Sequence, residues 1–258
     1  MAVTIALANQ KGGVGKTTTA VNLAAELAQI GKAVIVIDID PQANATQALG
    51  VDPVNVAGRH ISQLLAGSLT PVEVLVETSC AGIRLIPSHI QLATQAEELA
   101  TEIAREQLLK QALSPLGNLA DYVLIDCPPS LGLLTNNALT AANYVIVPLQ
   151  TEPFAVEGLS SILDTIEKIR RKTNAQLRLM GILLTLYEEE YAHARKIVKE
   201  MRNTFGPPRN LVFETIIPRY GELTKAAVGG PIRNYRPGHK AVELFANLAG
   251  EVIERAGK

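Results

Sequence analysis

No apolar run in this 258-residue chain reaches the roughly 18 residues that a membrane span requires. Nor does the amino terminus resemble a secretory leader, because Met1 to Ala8 is a short apolar run followed at once by Asn9, Gln10, Lys11 and glycines. A soluble, intracellular protein is expected. Cysteine is scarce: Cys80 and Cys127 lie far apart and outside any CxxC or Cys/His cluster, so a zinc site is not expected and buried free thiols are. The four histidines, His60, His89, His193 and His239, are scattered singly, which argues against a metal or acid–base cluster. Serine and cysteine nucleophile motifs are missing, as are internal repeats and low-complexity tracts.

What is present is the material for a full core. At 47% hydrophobic and 19% charged residues, the chain fits one α/β domain spanning 1–258. Val3 to Ala8 reads as a strand, and Thr17 to Ile30 as a helix with apolar Ala20, Leu23, Ala24 and Leu27, stopped by Gly31. Ala33 to Asp38 is a continuous apolar run of the kind buried on both faces of a parallel sheet. Further strands are predicted at Ile83 to Ile86, Tyr122 to Ile125, Tyr144 to Val147, Leu179 to Leu184 and Val212 to Ile217. Helical stretches separate most of them, so the expected fold is α/β, a doubly wound, mostly parallel sheet flanked by helices. Gly50 to Ala81 is the least regular segment and reads as a surface excursion of mixed helix and loop.

The formal net charge of -1 conceals a segregation. Arg195 to Lys240 holds ten basic residues (Arg195, Lys196, Lys199, Arg202, Arg209, Arg219, Lys225, Arg233, Arg236 and Lys240) against three acids, a local excess of 7 positive charges. This segment is either a basic face suited to a polyanion or a set of solvated helix faces.

The segment Lys11-Gly12-Gly13-Val14-Gly15-Lys16-Thr17-Thr18 carries the chemistry. A loop that cradles a triphosphate must bring backbone N–H groups to the phosphate oxygens, which side chains would obstruct, and the three glycines stand where that is needed. Lys16 is placed to reach the β and γ phosphates, and Thr17 to offer its hydroxyl to Mg²⁺ at the start of a helix. Tyr122-Val123-Leu124-Ile125-Asp126-Cys127-Pro128-Pro129 is an apolar strand ending in an acid, the position of a carboxylate that holds Mg²⁺ through water. The two prolines leave Asp126 at the carboxyl end, where open α/β sheets bind ligands. A P-loop nucleoside triphosphatase using ATP and Mg²⁺ is the expected activity.

The loop departs from the standard pattern, with Gln10 where glycine is usual and an extra lysine, Lys11, just inside it. In this form it resembles the deviant P-loop of the ParA/MinD ATPases. Ile37-Asp38-Ile39-Asp40-Pro41-Gln42-Ala43-Asn44 resembles that family's Asp-x-Asp-Pro-Gln motif, and similar stretches run to Ile217-Pro218-Arg219. The chain looks most like the short ParA/Soj partition ATPases, since no DNA-binding extension precedes the first strand. That resemblance implies that Lys11 contacts the partner's phosphates in an ATP-dependent sandwich homodimer, that Asp40 orients the attacking water, that Asp38 lies close to the Mg²⁺ shell, and that Pro218 lines the base pocket. The plain alternatives are a solvated loop lysine and aspartates that merely end strands. The resemblance also implies slow hydrolysis, stimulation by a ParB-like or other cargo-bound activator, nonspecific double-stranded DNA as partner, and a cytoplasmic, nucleoid-associated location. Arg195, Lys196, Lys199, Arg202, Arg219, Arg233, Arg236 and Lys240 are the candidate DNA contacts.

The carboxyl-terminal third fits the pattern less well: Tyr187-Glu188-Glu189-Glu190 stands where Asp-x-Arg-Thr is usual. The cargo is therefore open between a plasmid, a chromosome and a protein body. A MinD-like membrane cycle would need a basic amphipathic tail. His239 to Arg255 instead has Glu243, Glu251 and Glu254 on its polar face, so it is expected to dock on the core. A metallocluster enzyme, or a synthetase of the dethiobiotin type, is disfavoured by the cysteine placement.

Overall fold

Val3–Leu7 forms strand β1, and the glycine-rich turn after it delivers the chain into helix α1 (Lys16–Gln29). The computed structural model describes residues 2–56, 58–116, 119–153, 155–223 and 229–257, and places this unit inside an eight-stranded sheet. The other strands are β2 (Val34–Asp38), β3 (Val76–Glu77), β4 (Ile83–Ile86), β5 (Tyr122–Asp126), β6 (Tyr144–Gln150), β7 (Arg178–Tyr187) and β8 (Ile217–Pro218). Their spatial order is β3-β4-β2-β5-β1-β6-β7-β8, parallel except for β3, which runs antiparallel to β4 at one edge. The doubly wound α/β class read from the sequence is the class observed.

Successive side chains of a strand face opposite layers, and both faces of this sheet are covered. Ile5 and Leu7 of β1 pack with α1, α2 (Asn44–Ala48), α10 (Ile232–Tyr235) and α11 (Lys240–Ala256). Ala6 and Ala8 face the other layer, built from α3 (Ile61–Leu65), α4 (Pro71–Val74), α5 (Gln91–Leu99), α6 (Leu108–Leu113), α7 (Leu133–Ala141), α8 (Ala155–Lys172) and α9 (Ala192–Phe205).

Helix α11 starts where the His239 Nδ1 accepts the Ala241 amide at 3.1 Å. Its buried residues, Val242, Phe245, Leu248 and Val252, recur at helical spacing. Full burial of Phe245 alone contributes roughly 1.5–3 kcal/mol. The apolar face is thus turned onto the core rather than outward.

One predicted strand is corrected. Val212 to Ile217 is not continuous: Val212 makes an isolated bridge to Ile182, and the chain rejoins the sheet only at Ile217–Pro218. The Glu251 carboxylate of α11 accepts the amides of Glu214 and Thr215, each at 2.9 Å, which removes those donors from the β7 ladder. The Gly50 to Ala81 excursion contains α3, α4 and the antiparallel edge strand β3, which a two-residue run could not announce in sequence.

Candidate nucleotide-binding site

The loop between β1 and α1 is tied down at both ends. Asn9 donates from Nδ2 to the Pro148 carbonyl at 2.7 Å, and Thr185 Oγ1 donates to the Val14 carbonyl at 2.9 Å. Gly13 and Gly15 have φ of 72° and 85°, the left-handed region where a side chain is strained. The first helical bond from the loop runs from the Thr19 amide to the Gly15 carbonyl at 2.9 Å, so the amides before it in α1 have no acceptor one turn back. These amides open on a cleft of about 320 Å³ lined by Gly12, Gly13, Lys16, Thr17, Asp40 and Pro129, among others. A helix amino terminus with free amides is an anion site.

Lys16 and Lys11 take different courses. Lys16 is buried and folds back so that Nζ reaches the Lys11 carbonyl at 3.1 Å. Burial lowers its pKa, against the opposing pull of Asp126, Cys127 and Asp40. Lys11 points outward and pairs with Glu152 at 2.8 Å, both groups remaining solvent-exposed. Glu152 is also held by Gln150 Nε2 and lies 3.7 Å from Arg219, which in turn donates to Glu188 at 2.9 Å.

Strand order assembles the carboxylates. Because β5 lies between β1 and β2, Asp126 stands level with Leu7 on one side and with Asp38 on the other. Thr17 Oγ1 donates to Asp126 Oδ2 at 2.6 Å, while Asp126 Oδ1 is buried without a partner among the described residues. Burial and then the Asp38 charge push the Asp126 pKa well above the ordinary carboxylate range. An orphaned, buried carboxylate oxygen beside a threonine hydroxyl suits a hard cation.

Asp38 is fully buried and its pKa is raised to about 6, chiefly by burial. Its oxygens accept the Asp40 amide at 3.1 Å and both the amide and hydroxyl of Thr46 at 2.8 Å. Asp40 lines the cleft; its Oδ1 accepts the Gln42 amide at 3.0 Å. Thr18 lines both the cleft and a neighbouring apolar hollow of about 210 Å³ formed with Thr185, Ile217, Tyr220, Leu223 and Phe245. Pro218 is half-buried in β8 opposite Tyr187, between the hollow-lining Ile217 and Tyr220.

The basic candidates divide between the two layers. Helix α9 exposes Arg195, Lys196, Lys199 and Arg202. Arg195 caps the preceding turn by donating to the backbone carbonyls of Glu189 and Glu190. Arg202 lies 3.3 Å from Glu214. Across the sheet, Arg233 forks onto the nearly buried Glu26 of α1, with Nε to Oε1 at 2.9 Å, and Arg236 is 3.7 Å from Glu222. Lys196, Lys199 and Lys240 have no carboxylate partner among the described residues. Lys225 lies outside the described residues.

Glu152, Thr46 and Glu26 were not singled out from the sequence. Thr46 follows the Asp40-Pro41-Gln42 stretch closely enough to be suspected, whereas the partners of Glu152 and Glu26 lie 141 and 207 positions away.

Comparison with known proteins agrees with this geometry. A family model described as an AAA domain matches residues 2–179. The chain is 43% identical over 249 residues to the sporulation initiation inhibitor protein Soj of Bacillus subtilis, covering 96% of this chain and 97% of that one. It is 40% identical over 259 residues to the chromosome-partitioning ATPase Soj of Treponema pallidum, covering 100% of both. A solved structure described as cobyrinic acid a,c-diamide synthase from Mycobacterium smegmatis with bound ADP and magnesium superposes with a TM-score of 0.87. That protein is 36% identical, over 100% of this chain and 96% of that one. With its phosphate loop, its strand-end aspartates and relatives matched from end to end, the chain belongs to the ParA/Soj-type family of P-loop ATPases.

Proposed function

We propose that residues 1–258 form one ATPase domain that acts as a partition-type switch. In this reading it binds ATP with Mg²⁺, pairs with a second copy across the nucleotide and holds nonspecific double-stranded DNA in that state. It lets go when a ParB-like, cargo-bound activator speeds an otherwise slow hydrolysis. The observation that carries the reading is the opposite course of the two loop lysines: Lys16 serves its own cleft, while Lys11 is held outside it by Glu152 and is available to a partner's phosphates.

The loop amides and Lys16 bind the β and γ phosphates, and Thr17 with the open oxygen of Asp126 holds the metal, Asp38 backing Asp126 in the same cross-sheet row. When bound, Mg²⁺ neutralises charge that builds on the phosphate oxygens. Asp40 orients the attacking water with the carboxylate oxygen that Gln42 does not take. The hollow beside Thr18 and Ile217 receives the base, next to Pro218. Positioning and electrostatics supply the acceleration, since phosphoryl transfer to water asks for no covalent intermediate.

For DNA, Lys196, Lys199 and Lys240, which have no carboxylate partner among the described residues, supply charge most freely, with Arg195, Arg202, Arg219, Arg233 and Arg236 already engaged by the protein. Such contacts go to phosphates and are sensitive to salt, not to sequence. The cargo is plasmid, chromosome or a protein body. A MinD-like cycle is disfavoured because the α11 apolar face is docked on α1. Amide synthesis of the kind named for the Mycobacterium smegmatis structure, if run through a thiol nucleophile, would need a reactive cysteine. Cys80 and Cys127 are both buried, and burial pushes both thiols up.

The test is retention on nonspecific double-stranded DNA with ATP, ADP or no nucleotide, at low and moderate salt, using Asp40→Ala to slow turnover. ATP-dependent retention that falls with salt, is lost on Lys196→Glu with Lys199→Glu, and requires the ATP-induced dimer that Lys11→Ala should abolish in light scattering, is the expected result. ATP binding without DNA retention would remove the partition reading.

A further inference from the structure

Asp40 sits on a loop, and a group that must orient a water within a few tenths of an ångström needs that loop held. The segment from Asp38 to Thr46 is closed on itself by side chains. Asp38 Oδ1 accepts the Asp40 amide at 3.1 Å, and Asp38 Oδ2 accepts both the amide and the hydroxyl of Thr46 at 2.8 Å. Within the ring, the Ala43 amide donates to the Asp40 carbonyl at 2.9 Å, and Ala43 takes a φ of 54°, unusual for a residue with a side chain.

Thr46 is completely buried and also reaches sideways: its Oγ1 accepts the Ser88 amide at 2.9 Å, from the segment just after β4. One hydroxyl therefore joins three pieces of chain, the end of β2, the start of α2 and the end of β4. It does so without touching the cleft, since Asp40, Gln42, Asn44 and Ala48 line it and Thr46 does not.

We propose that Thr46 is a positioning residue for hydrolysis, clasping Asp38 so that the Asp40 carboxylate is held at the mouth of the nucleotide cleft. The proposal rests on the reading of Asp40 as the water-orienting group. The chemistry favours threonine because one hydroxyl donates to a carboxylate and accepts an amide at once. Valine has the same shape and can do neither, leaving the buried Ser88 N–H and one Asp38 lone pair unmatched. The phosphate loop is anchored separately through Asn9, Val14 and Thr185, so losing the clasp moves Asp40 and not the binding amides.

The experiment measures kcat for ATP hydrolysis and, separately, equilibrium binding of a nonhydrolysable ATP analogue, for Thr46→Val, Thr46→Ala and Thr46→Ser, each also in an Asp40→Ala background. The expected result is a fall in kcat of about 10- to 100-fold for the two variants without a hydroxyl. Analogue affinity should stay within about twofold, Thr46→Ser should restore turnover, and Thr46→Val should cost nothing further once Asp40 is alanine. Unchanged kcat in Thr46→Val, a parallel loss of kcat and affinity, or an additive loss in the double variant would overturn the role. So would failure of both hydroxyl-free variants to fold while Thr46→Ser folds, which would place the hydroxyl in stability. If Asp40→Ala itself hydrolyses ATP at the wild-type rate, the underlying reading of Asp40 fails first, and the two failures are told apart by that single variant.

Discussion

Replacing Asp126 with asparagine should separate what this carboxylate does for the ligand from what it costs the fold. Asp126 and Asp38 are fully buried neighbours, and both have raised pKa values, Asp38 to about 6. An acid whose folded pKa exceeds its unfolded value binds its proton more tightly when folded. Its favourable contribution is complete below the unfolded pKa near 4 and is lost as pH rises through the folded pKa. Near pH 7.5 Asp38 therefore bears its full cost in the ligand-free protein, and its rise from 3.8 to about 6 corresponds to roughly 3 kcal/mol.

The Asp126→Asn variant would keep an oxygen for Thr17 Oγ1 and remove a buried acid whose ionisation is opposed by burial and by the Asp38 charge. Against this, Lys16 loses the largest of the charges that offset its own burial. The net gain for the ligand-free protein near pH 7.5 is expected to be about 1–2 kcal/mol, or roughly 2–8 °C in melting temperature for a chain of this size. It should shrink towards pH 5, where the wild-type pair takes up a proton. With Mg²⁺ and a nonhydrolysable ATP analogue the order reverses, because a ligand at a hundred times its Kd stabilises the wild type by about 2.7 kcal/mol and the variant has lost the charge that holds the metal. Scanning calorimetry at the two pH values, with and without analogue, decides the matter. A ligand-free variant that melts below the wild type near pH 7.5 would refute the raised-pKa reasoning, and an unchanged ligand-induced shift would take Asp126 out of the metal site.

Arg233→Met should strand the nearly buried Glu26 carboxylate. Because Arg233 is itself partly exposed, the expected loss is about 1–2 kcal/mol, read as a lower denaturant midpoint and recovered in part by adding Glu26→Gln. Gly181→Ala on β7 would bring a Cβ within 2.7 Å of the Phe213 ring and 2.6 Å of Arg255, whose guanidinium lies over that ring; overpacking of this kind costs about 1–3 kcal/mol, measurable as a drop in melting temperature.

Local rules were enough for the phosphate loop and for most strands. Glycines at positions 13 and 15 announce left-handed backbone, and the runs at Val34–Asp38 and Tyr122–Asp126 are apolar because both faces of a parallel strand are buried. The family resemblance was legible for the same reason, since its motifs are short, contiguous and tied to one loop and two strand ends.

What the tertiary structure alone decided follows from strand order and from competition for hydrogen bonds between remote segments. Periodicity identifies β5 as a strand but not that it lies between β1 and β2, and only that placement brings Asp126 level with both Leu7 and Asp38. The same limit hid the Val212 to Ile217 error, because nothing near Glu214 and Thr215 in sequence reveals that Glu251, some 36 positions on, will claim their amides. Charge counting found the basic segment but not which cations are already engaged. Arg233 is held by Glu26 and Arg219 by Glu188 because helices and loops distant in sequence meet in space, while Lys196 and Lys199 face outward from α9. A sequence specifies the partners of a side chain locally only when they lie within a turn or a strand of it; beyond that range, packing decides which of many chemically equivalent groups loses its water and must find a partner.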